Sequence, residues 1–140
     1  MGMNAGRIMG GGLAAGLVAN VIDGGGNVML LTTRWKAETD ALNPDLYVRA
    51  ASSSAVGWII TDFVLCLVLV WLYAAMRTRF GPGPRTAVVA AHAVWFVSHA
   101  YFASYIFMGL YSTGLIVCSS LIALVALVAG GLVGGKVYAE

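Results

Sequence analysis

The stretch GLAAGLVANVIDGGGN, residues 12–27, organises the interpretation of the whole chain. Read at helical spacing, it places Gly12, Gly16, Asn20, Asp23 and Asn27 in steps of three and four, and therefore on one helix face. Its other residues are mostly Leu, Ala, Val and Ile. Because an amide or a carboxylate that faces hydrocarbon has no partner there, this stripe must turn toward other helices. The stretch predicts an apolar membrane helix with an inward polar face.

The composition supports a lipid environment. Of the 140 residues, 60% are hydrophobic and only 10% are charged, whereas about a quarter of the residues in a soluble domain are charged. The expected partner is therefore the lipid bilayer. A net charge of +2, without a basic cluster interleaved with aromatic residues, does not indicate nucleic acid. Cys66 and Cys118 each lie alone in an apolar run, which favours small buried residues over a disulfide.

Four apolar runs each approach the roughly 20 residues that a spanning helix needs. The sequence therefore predicts an all-α fold, a four-transmembrane-helix antiparallel bundle forming a single integral membrane domain. The polar connection 32–54 contains Asn43-Pro44, which is typical of a helix start. A short extramembrane helix is therefore expected from about Pro44 to Ala51, between helices 1 and 2. The four predicted spans are about 7–31, 55–76, 85–111 and 114–133.

The glycines of the first run leave two interpretations open. Either the helix continues through Gly24–Gly26, or it breaks there and Asn27 caps a new helix that runs to about Ala41. A break at membrane depth would indicate an ion or substrate site. Continuity is favoured, because an unbroken helix satisfies its own backbone polar groups in lipid.

Small residues also cluster at the two ends of the chain. Gly12 and Gly16 lie in the first run, and Gly130 and Gly134 close the fourth. Because small residues let helix backbones approach closely, we expect these clusters to pack helix 1 against helix 4 within one chain. The alternative is that one cluster serves a homo-oligomer.

The positive charges predict an orientation. Five Lys and Arg residues flank the ends of the runs that share one side, against three in the long connection, so both termini are expected in the cytoplasm. The first set is Arg7, Arg77, Arg79, Arg85 and Lys136, and the second is Arg34, Lys36 and Arg49.

The sequences LYAAMR (residues 72–77) and GPGPRTA (residues 81–87), together with Arg34-Trp35 and the glycine-rich start, support a resemblance. The chain resembles a group of small, uncharacterised bacterial four-helix inner-membrane proteins. That resemblance implies a four-helix bundle in a bacterial inner membrane and implies no activity. Gly24–Gly26 and His99 are not features of that group, so a site built on them would be particular to this chain.

Ionisable residues inside the apolar runs define a candidate site. The heights of these residues can be counted from the Arg at the expected cytoplasmic end of each run, namely Arg7, Arg77 and Arg85. Asp23, Asp62 and His99 then lie roughly 24, 22 and 21 Å above the plane of these arginines. Asn20 and Asn27 bracket this intramembrane polar cluster on helix 1. Either aspartate would stabilise a charged His99, and the group could share a transferable proton.

Three hypotheses about function follow. The first is a small structural or partner-binding membrane protein, in which the polar cluster only holds helices together. The second is a proton- or cation-linked transport component that uses Asp23, Asp62 and His99, and the third is a membrane-embedded lipid or quinone-binding protein. No metal site and no cofactor are predicted, because His92 and His99 are separated by roughly 10 Å along one helix. Nucleophile and phosphate-loop motifs are absent from the sequence, so catalysis is not expected.

Overall fold

The computed structural model describes residues 3–139, and the side chains of residues 3–138. This part of the chain is all-α, and its long helices pack as an up-and-down bundle of four rods. Each rod is long and apolar enough to cross a membrane, with α3 and α4 together forming the third. The helices are α1 (Ala5–Leu42), α2 (Leu46–Phe80), α3 (Pro84–Phe102), α4 (Ser104–Phe107) and α5 (Thr113–Ala139).

Helix α1 begins at a side-chain cap and then runs without interruption. The Asn4 side-chain oxygen accepts a hydrogen bond from the Arg7 backbone N–H at 3.0 Å, as is typical of an N-cap. The helix continues through Gly24–Gly26 to Leu42, so the continuous interpretation is correct and Asn27 does not start a new helix. At about 1.5 Å per residue, α1 is longer than the roughly 30 Å hydrocarbon core.

The predicted short helix between helices 1 and 2 is wrong. The segment from Pro44 to Ala51 holds only the turn and the start of α2, which begins at Leu46. The turn is confined to residues 43–45, where Asn43 is extended and Asp45 adopts a left-handed φ of 59°. No Gly or Pro follows until Gly57, so nothing in the sequence ends a helix there and the expected surface helix merges with the span.

The third predicted span is also shorter than expected. Instead of running to Tyr111, α3 ends at Phe102, and the four-residue α4 follows after Ala103. Gly109 then takes a φ of +69°, and the Leu110 N–H donates to the Tyr105 carbonyl at 3.0 Å. This left-handed glycine stops the helix, as a C-terminal glycine commonly does.

Glycines seal one half of the bundle, which we call the basic end: the start of α1, the α2–α3 turn and the last turns of α5. A Cβ added at Gly134 would lie 2.8 Å from the Gly11 carbonyl oxygen, and one added at Gly130 would lie 2.8 Å from the Ala15 carbonyl oxygen. Helices α1 and α5 therefore touch backbone to backbone within one chain. Gly12 and Gly16, in contrast, face α2.

The opposite half, which we call the hairpin end, is more open. It comprises the α1–α2 turn, α4 and the start of α5. Every residue from 51 to 61 of α2 is exposed, including Trp58 at 52%. By contrast, Leu69, Val70 and Tyr73 further along α2 are almost completely buried. The bundle is thus tightly packed at one end and looser at the other.

Candidate polar site within the membrane span

Asn27 joins α1 to α5 through its side-chain amide and also contacts two other residues of α1. Its nitrogen donates to the Asp23 carboxylate at 3.2 Å and to the Asp23 carbonyl at 3.0 Å. Its oxygen accepts from the Ser119 hydroxyl of α5 at 2.9 Å and from the Trp35 indole N–H at 3.1 Å. Both ends of the amide are therefore used, and α1 is tied to α5 at this level.

Asn20 makes a weaker link from α1 to α2. Its amide nitrogen donates to the Gly16 carbonyl of its own helix at 2.9 Å and to the Ile59 carbonyl at 3.4 Å. The two asparagines that bracket the predicted cluster therefore both reach a neighbouring helix or its carbonyls. Contacts of this kind are typical of polar residues that hold membrane helices together.

The two carboxylates have different surroundings. Asp62 is followed on the same face of α2 by Cys66, Leu69 and Tyr73, all buried, so it lies on the inward stripe. Within the described part of the chain, no hydrogen-bond donor reaches the half-buried Asp62 carboxylate. Asp23 continues the inward stripe of α1 and has its own amide donor, from Asn27.

The contacts between α1 and α2 set the heights of these groups. Gly12 faces Leu67 and Gly16 faces Phe63. Extending this antiparallel register places Asp62 beside Leu17, about six residues below Asp23 and about 9 Å lower along the axis.

The carboxylates are therefore staggered rather than level. Asp62 lies about 15 Å along the axis from the level of Arg7, a distance that is about half the thickness of a typical hydrocarbon core, and Asp23 lies nearer the hairpin end. Asp62, Asn20, Asp23 and Asn27 form a series of polar groups that rises from mid-membrane toward the hairpin end, and we call this series the polar ladder.

His99 does not join the polar ladder. Its Nδ1 lies 3.1 Å from the Trp95 carbonyl oxygen and 3.0 Å from the Ser98 hydroxyl, and neither aspartate is among its hydrogen-bond partners. The imidazole stacks on Trp95 at 5.7 Å and meets the edge of Phe102 at 5.8 Å between ring centroids. The expected Asp–His pair is therefore not formed in this structure.

A chain of edge-to-face aromatic contacts links the helices at the hairpin end. It runs from Trp58 of α2 through the third span to Trp35 of α1, with ring centroids 5.2–6.1 Å apart. Trp35 also donates to Asn27, so the aromatic chain and the polar ladder meet there. The members of this chain, in order, are Trp58, Phe102, Tyr105, Tyr111 and Trp35.

Sequence reasoning missed several polar partners. Ser119 and Trp35 complete the Asn27 site, and the Trp95 indole N–H donates to the Ser120 carbonyl at 2.8 Å. Ser119-Ser120 interrupts an apolar run, and this pattern is the one signal in the sequence that favoured a polar contact there. The hydrogen bond from Trp35 to Asn27 joins residues eight positions apart on one helix, and no pattern in the sequence indicates it.

Glu38 joins α1 to the residue that precedes α5, on the side of Asn27 nearer the hairpin end. Its carboxylate accepts from the Ser112 backbone N–H at 2.7 Å and from the Ser112 hydroxyl at 2.6 Å. The same hydroxyl accepts from the Leu115 N–H at 3.3 Å, as an N-cap of α5 does. A negative charge therefore lies at the positive end of the α5 dipole, which is a favourable position.

The described residues contain no group of three His, Cys, Asp or Glu side chains that could hold a metal ion. Cys66 is buried, Cys118 is exposed, and both are free thiols. No family model, curated protein or solved structure gives a significant match to this chain. The assignment of function therefore depends on the geometry of the bundle.

Proposed function

We propose that this chain is a multi-pass integral membrane protein in which Asp62, assisted by Asp23, binds and releases a proton or small cation within the bilayer. In this role the protein is a component of proton- or cation-linked transport. The observation that carries the proposal is the Asp62 carboxylate, which lies on the inward face of a membrane-depth helix without a hydrogen-bond donor. An intramembrane carboxylate is costly and points to a functional site by default.

A purely structural role fits the amides better than the carboxylates. Asn27 bonds to Ser119 across the α1–α5 contact, and Asn20 reaches the Ile59 carbonyl of α2. Neither carboxylate of the polar ladder, in the described part of the chain, receives a hydrogen bond from another helix. A residue selected only to join helices would accept such a bond. Ion or proton exchange gives a reason for carboxylates at these two positions.

The packing also favours carrier-like exchange over an open channel. Toward the hairpin end, the polar ladder passes Gly24 and Gly25, which have open space in front of them. Toward the basic end, a Cβ added at Gly16 would overlap Phe63 and one added at Gly134 would overlap the Gly11 carbonyl oxygen, so the helices pack closely there. We infer that an ion reaches Asp62 from this more loosely packed end, and that its passage to the other end requires a rearrangement.

The structural or partner-binding role, which was the first hypothesis from the sequence, is the second candidate. It is favoured by the Asn27–Ser119 hydrogen bond, because a 2.9 Å contact between two spans is what helix packing in lipid requires. Under that role, removing the charge of Asp62 would leave the protein's properties in the membrane unchanged.

The proposed location and orientation rest on the resemblance to small bacterial proteins and on the distribution of positive charge. We place the protein in a bacterial inner membrane with both termini in the cytoplasm. Five Lys and Arg residues lie at the basic end, against three at the hairpin end, and cytoplasmic loops carry the excess of positive charge.

Liposome flux of the purified protein tests the transport role. We expect an imposed pH gradient to decay faster than in protein-free liposomes, with a saturable rate that depends on pH. Asp62→Asn should reduce the protein-dependent rate at least about tenfold, because the amide cannot take up a proton or balance a cation. A dye that reports internal pH supplies the measurement.

The matched control is Asp45→Asn, the same change of acid to amide in the exposed α1–α2 turn. Asp45 has a left-handed φ, which asparagine adopts readily, so this variant should fold and retain full flux. Equal rates in wild-type and Asp62→Asn liposomes would exclude Asp62 as the exchanging group and leave the structural role.

A further inference from the structure

A cavity at the basic end lies between the α2–α3 turn and the last turns of α5. Its volume is about 400 Å³, within the range of small-molecule sites. Pro84 and Ala87 of α3, Leu132 and Lys136 of α5, and Tyr73 of α2 are among the residues that line it. The floor is therefore mostly apolar, and a primary ammonium lies at the rim.

Among the described residues, the charges near this cavity have one sign. Lys136 lines the cavity, and Arg85 directly follows the lining residue Pro84. Arg77 and Arg79 lie in the last turn of α2, within four residues of lining residues in sequence. No acidic residue lies at this end among residues 3–139. The described salt bridge, Lys36 to Asp40, lies at the hairpin end instead. These four cations thus have no carboxylate partner within the described part of the chain, and they favour an anion.

The wall of the cavity is held in place by a connected set of contacts. The Arg77 guanidinium lies 5.2 Å from the centre of the Tyr138 ring, and that ring meets Tyr73 edge-on at 6.1 Å. The Tyr73 hydroxyl accepts a hydrogen bond from the Gly83 N–H at 3.2 Å. One cation and the turn are therefore fixed in place before any ligand binds, which lowers the ordering cost of binding.

The position of the cavity decides between sources of an anion. It lies where α2 and α5 end and α3 begins, close to the plane in which the headgroups of one leaflet lie. Its apolar floor fits glycerol and the first methylenes of an acyl chain, whereas a free phosphate would leave that floor uncovered. Basic pockets between membrane helices are suited to anionic headgroups.

We propose that this cavity binds the phosphate headgroup of an anionic phospholipid, with Lys136 and Arg85 contacting the phosphate and Leu132 and Ala87 contacting the glycerol backbone. The headgroup then joins the ends of α2, α3 and α5 at the basic end. This site is separate from the polar ladder and does not depend on the proposed transport role.

Lipid-dependent thermal unfolding of the full chain in detergent tests the proposal. Phosphatidylglycerol, phosphatidylcholine and inorganic phosphate are added separately over a range of concentrations. We expect a saturable rise in unfolding temperature with phosphatidylglycerol and none with the other two. The double variant R85Q/K136Q should bind phosphatidylglycerol about 30-fold more weakly, since each interfacial cation contributes about a factor of five.

The matched control is K36Q/R49Q, which removes the same charge from the hairpin end and should bind like the wild type. Leu132→Trp fills the cavity without changing its charge and should also weaken binding. Equal stabilisation by phosphatidylcholine, an equal effect of inorganic phosphate, or an equal loss of binding in both double variants would overturn the proposal. Loss of flux in Asp62→Asn has no bearing on this result.

Discussion

Asn27 uses both ends of its side-chain amide, and this places it at the centre of the polar contacts at membrane depth. Its nitrogen holds the Asp23 carboxylate, and its oxygen receives the Ser119 hydroxyl and the Trp35 indole. Asp62 lacks such a donor. At the scale of single residues, Asp23 therefore has a hydrogen-bond donor and Asp62 has none in the described part of the chain, which is why we propose Asp62 as the exchanging group.

The first prediction concerns this amide. Asn27→Leu removes the contacts to Asp23, Ser119 and Trp35, and should lower the free energy of unfolding by about 1–2 kcal/mol. Ser119→Ala removes one of the three and should lower it by about 0.6 kcal/mol. Unfolding in mixed micelles, followed by tryptophan fluorescence, gives both values. Equal losses in the two variants would show that Asn27 contributes only through Ser119.

The polar residues of the site can be identified from the sequence, but their relative positions cannot. Asn20, Asp23, Asn27 and Asp62 are recognisable because polar residues are rare in the apolar runs and their faces follow from helical spacing. The 9 Å stagger of the aspartates is not recognisable, because it depends on how α1 slides along α2. His99 was expected beside the aspartates for the same reason, but the rotation of α3 directs it to Trp95 and Phe102 instead.

At the scale of helices, glycines with the same chemistry have opposite roles. Gly134 lies against the Gly11 backbone and Val70, whereas Gly24 has no atom from elsewhere in the structure within 4 Å of an added Cβ. The first is therefore a close-packing glycine, and the second only weakens the helix. Gly26 is intermediate, since an added Cβ would lie 2.7 Å from the flexible Ile122 side chain.

The second prediction uses this contrast. Gly134→Ala should destabilise the folded monomer by about 1–3 kcal/mol, because backbone atoms cannot yield to the added methyl group. Gly24→Ala should stabilise it by up to about 1 kcal/mol through helix propensity. Thermal unfolding of the two variants, compared by the sign of the shift, provides the measurement. A Gly134→Ala variant that loses a dimer while its monomer stays as stable as wild type would favour the homo-oligomer instead.

Helix ends were harder to predict than helix cores. The four spans follow from hydropathy, because an apolar segment in lipid must satisfy its own backbone polar groups, as a helix does. The merged start of α2 does not, since Asn43-Pro44 suits a new helix and a turn equally well. The end of α3 depends on the left-handed Gly109 and on ring contacts among Phe102, Tyr105 and Tyr111, and hydropathy indicates neither.

At the scale of the whole molecule, the bundle is asymmetric along the membrane normal. Glycine contacts seal the basic end, while the hairpin end carries the polar ladder, the aromatic chain and the exposed start of α2. Positive charge without acidic residues marks the sealed end within residues 3–139. In the proposed function, an ion reaches Asp62 from the more loosely packed hairpin end, and the asymmetry of the bundle is the basis of that proposal.

The most direct test of that claim is covalent labelling by a hydrophobic carbodiimide, which enters the bilayer and reacts with protonated carboxyl groups. We predict one main adduct, located at Asp62 by peptide mass spectrometry, which forms more slowly as the pH rises and is lost in Asp62→Asn but kept in Asp45→Asn. An adduct of equal yield in Asp62→Asn, or a rate that does not change with pH, would contradict a proton-exchanging Asp62.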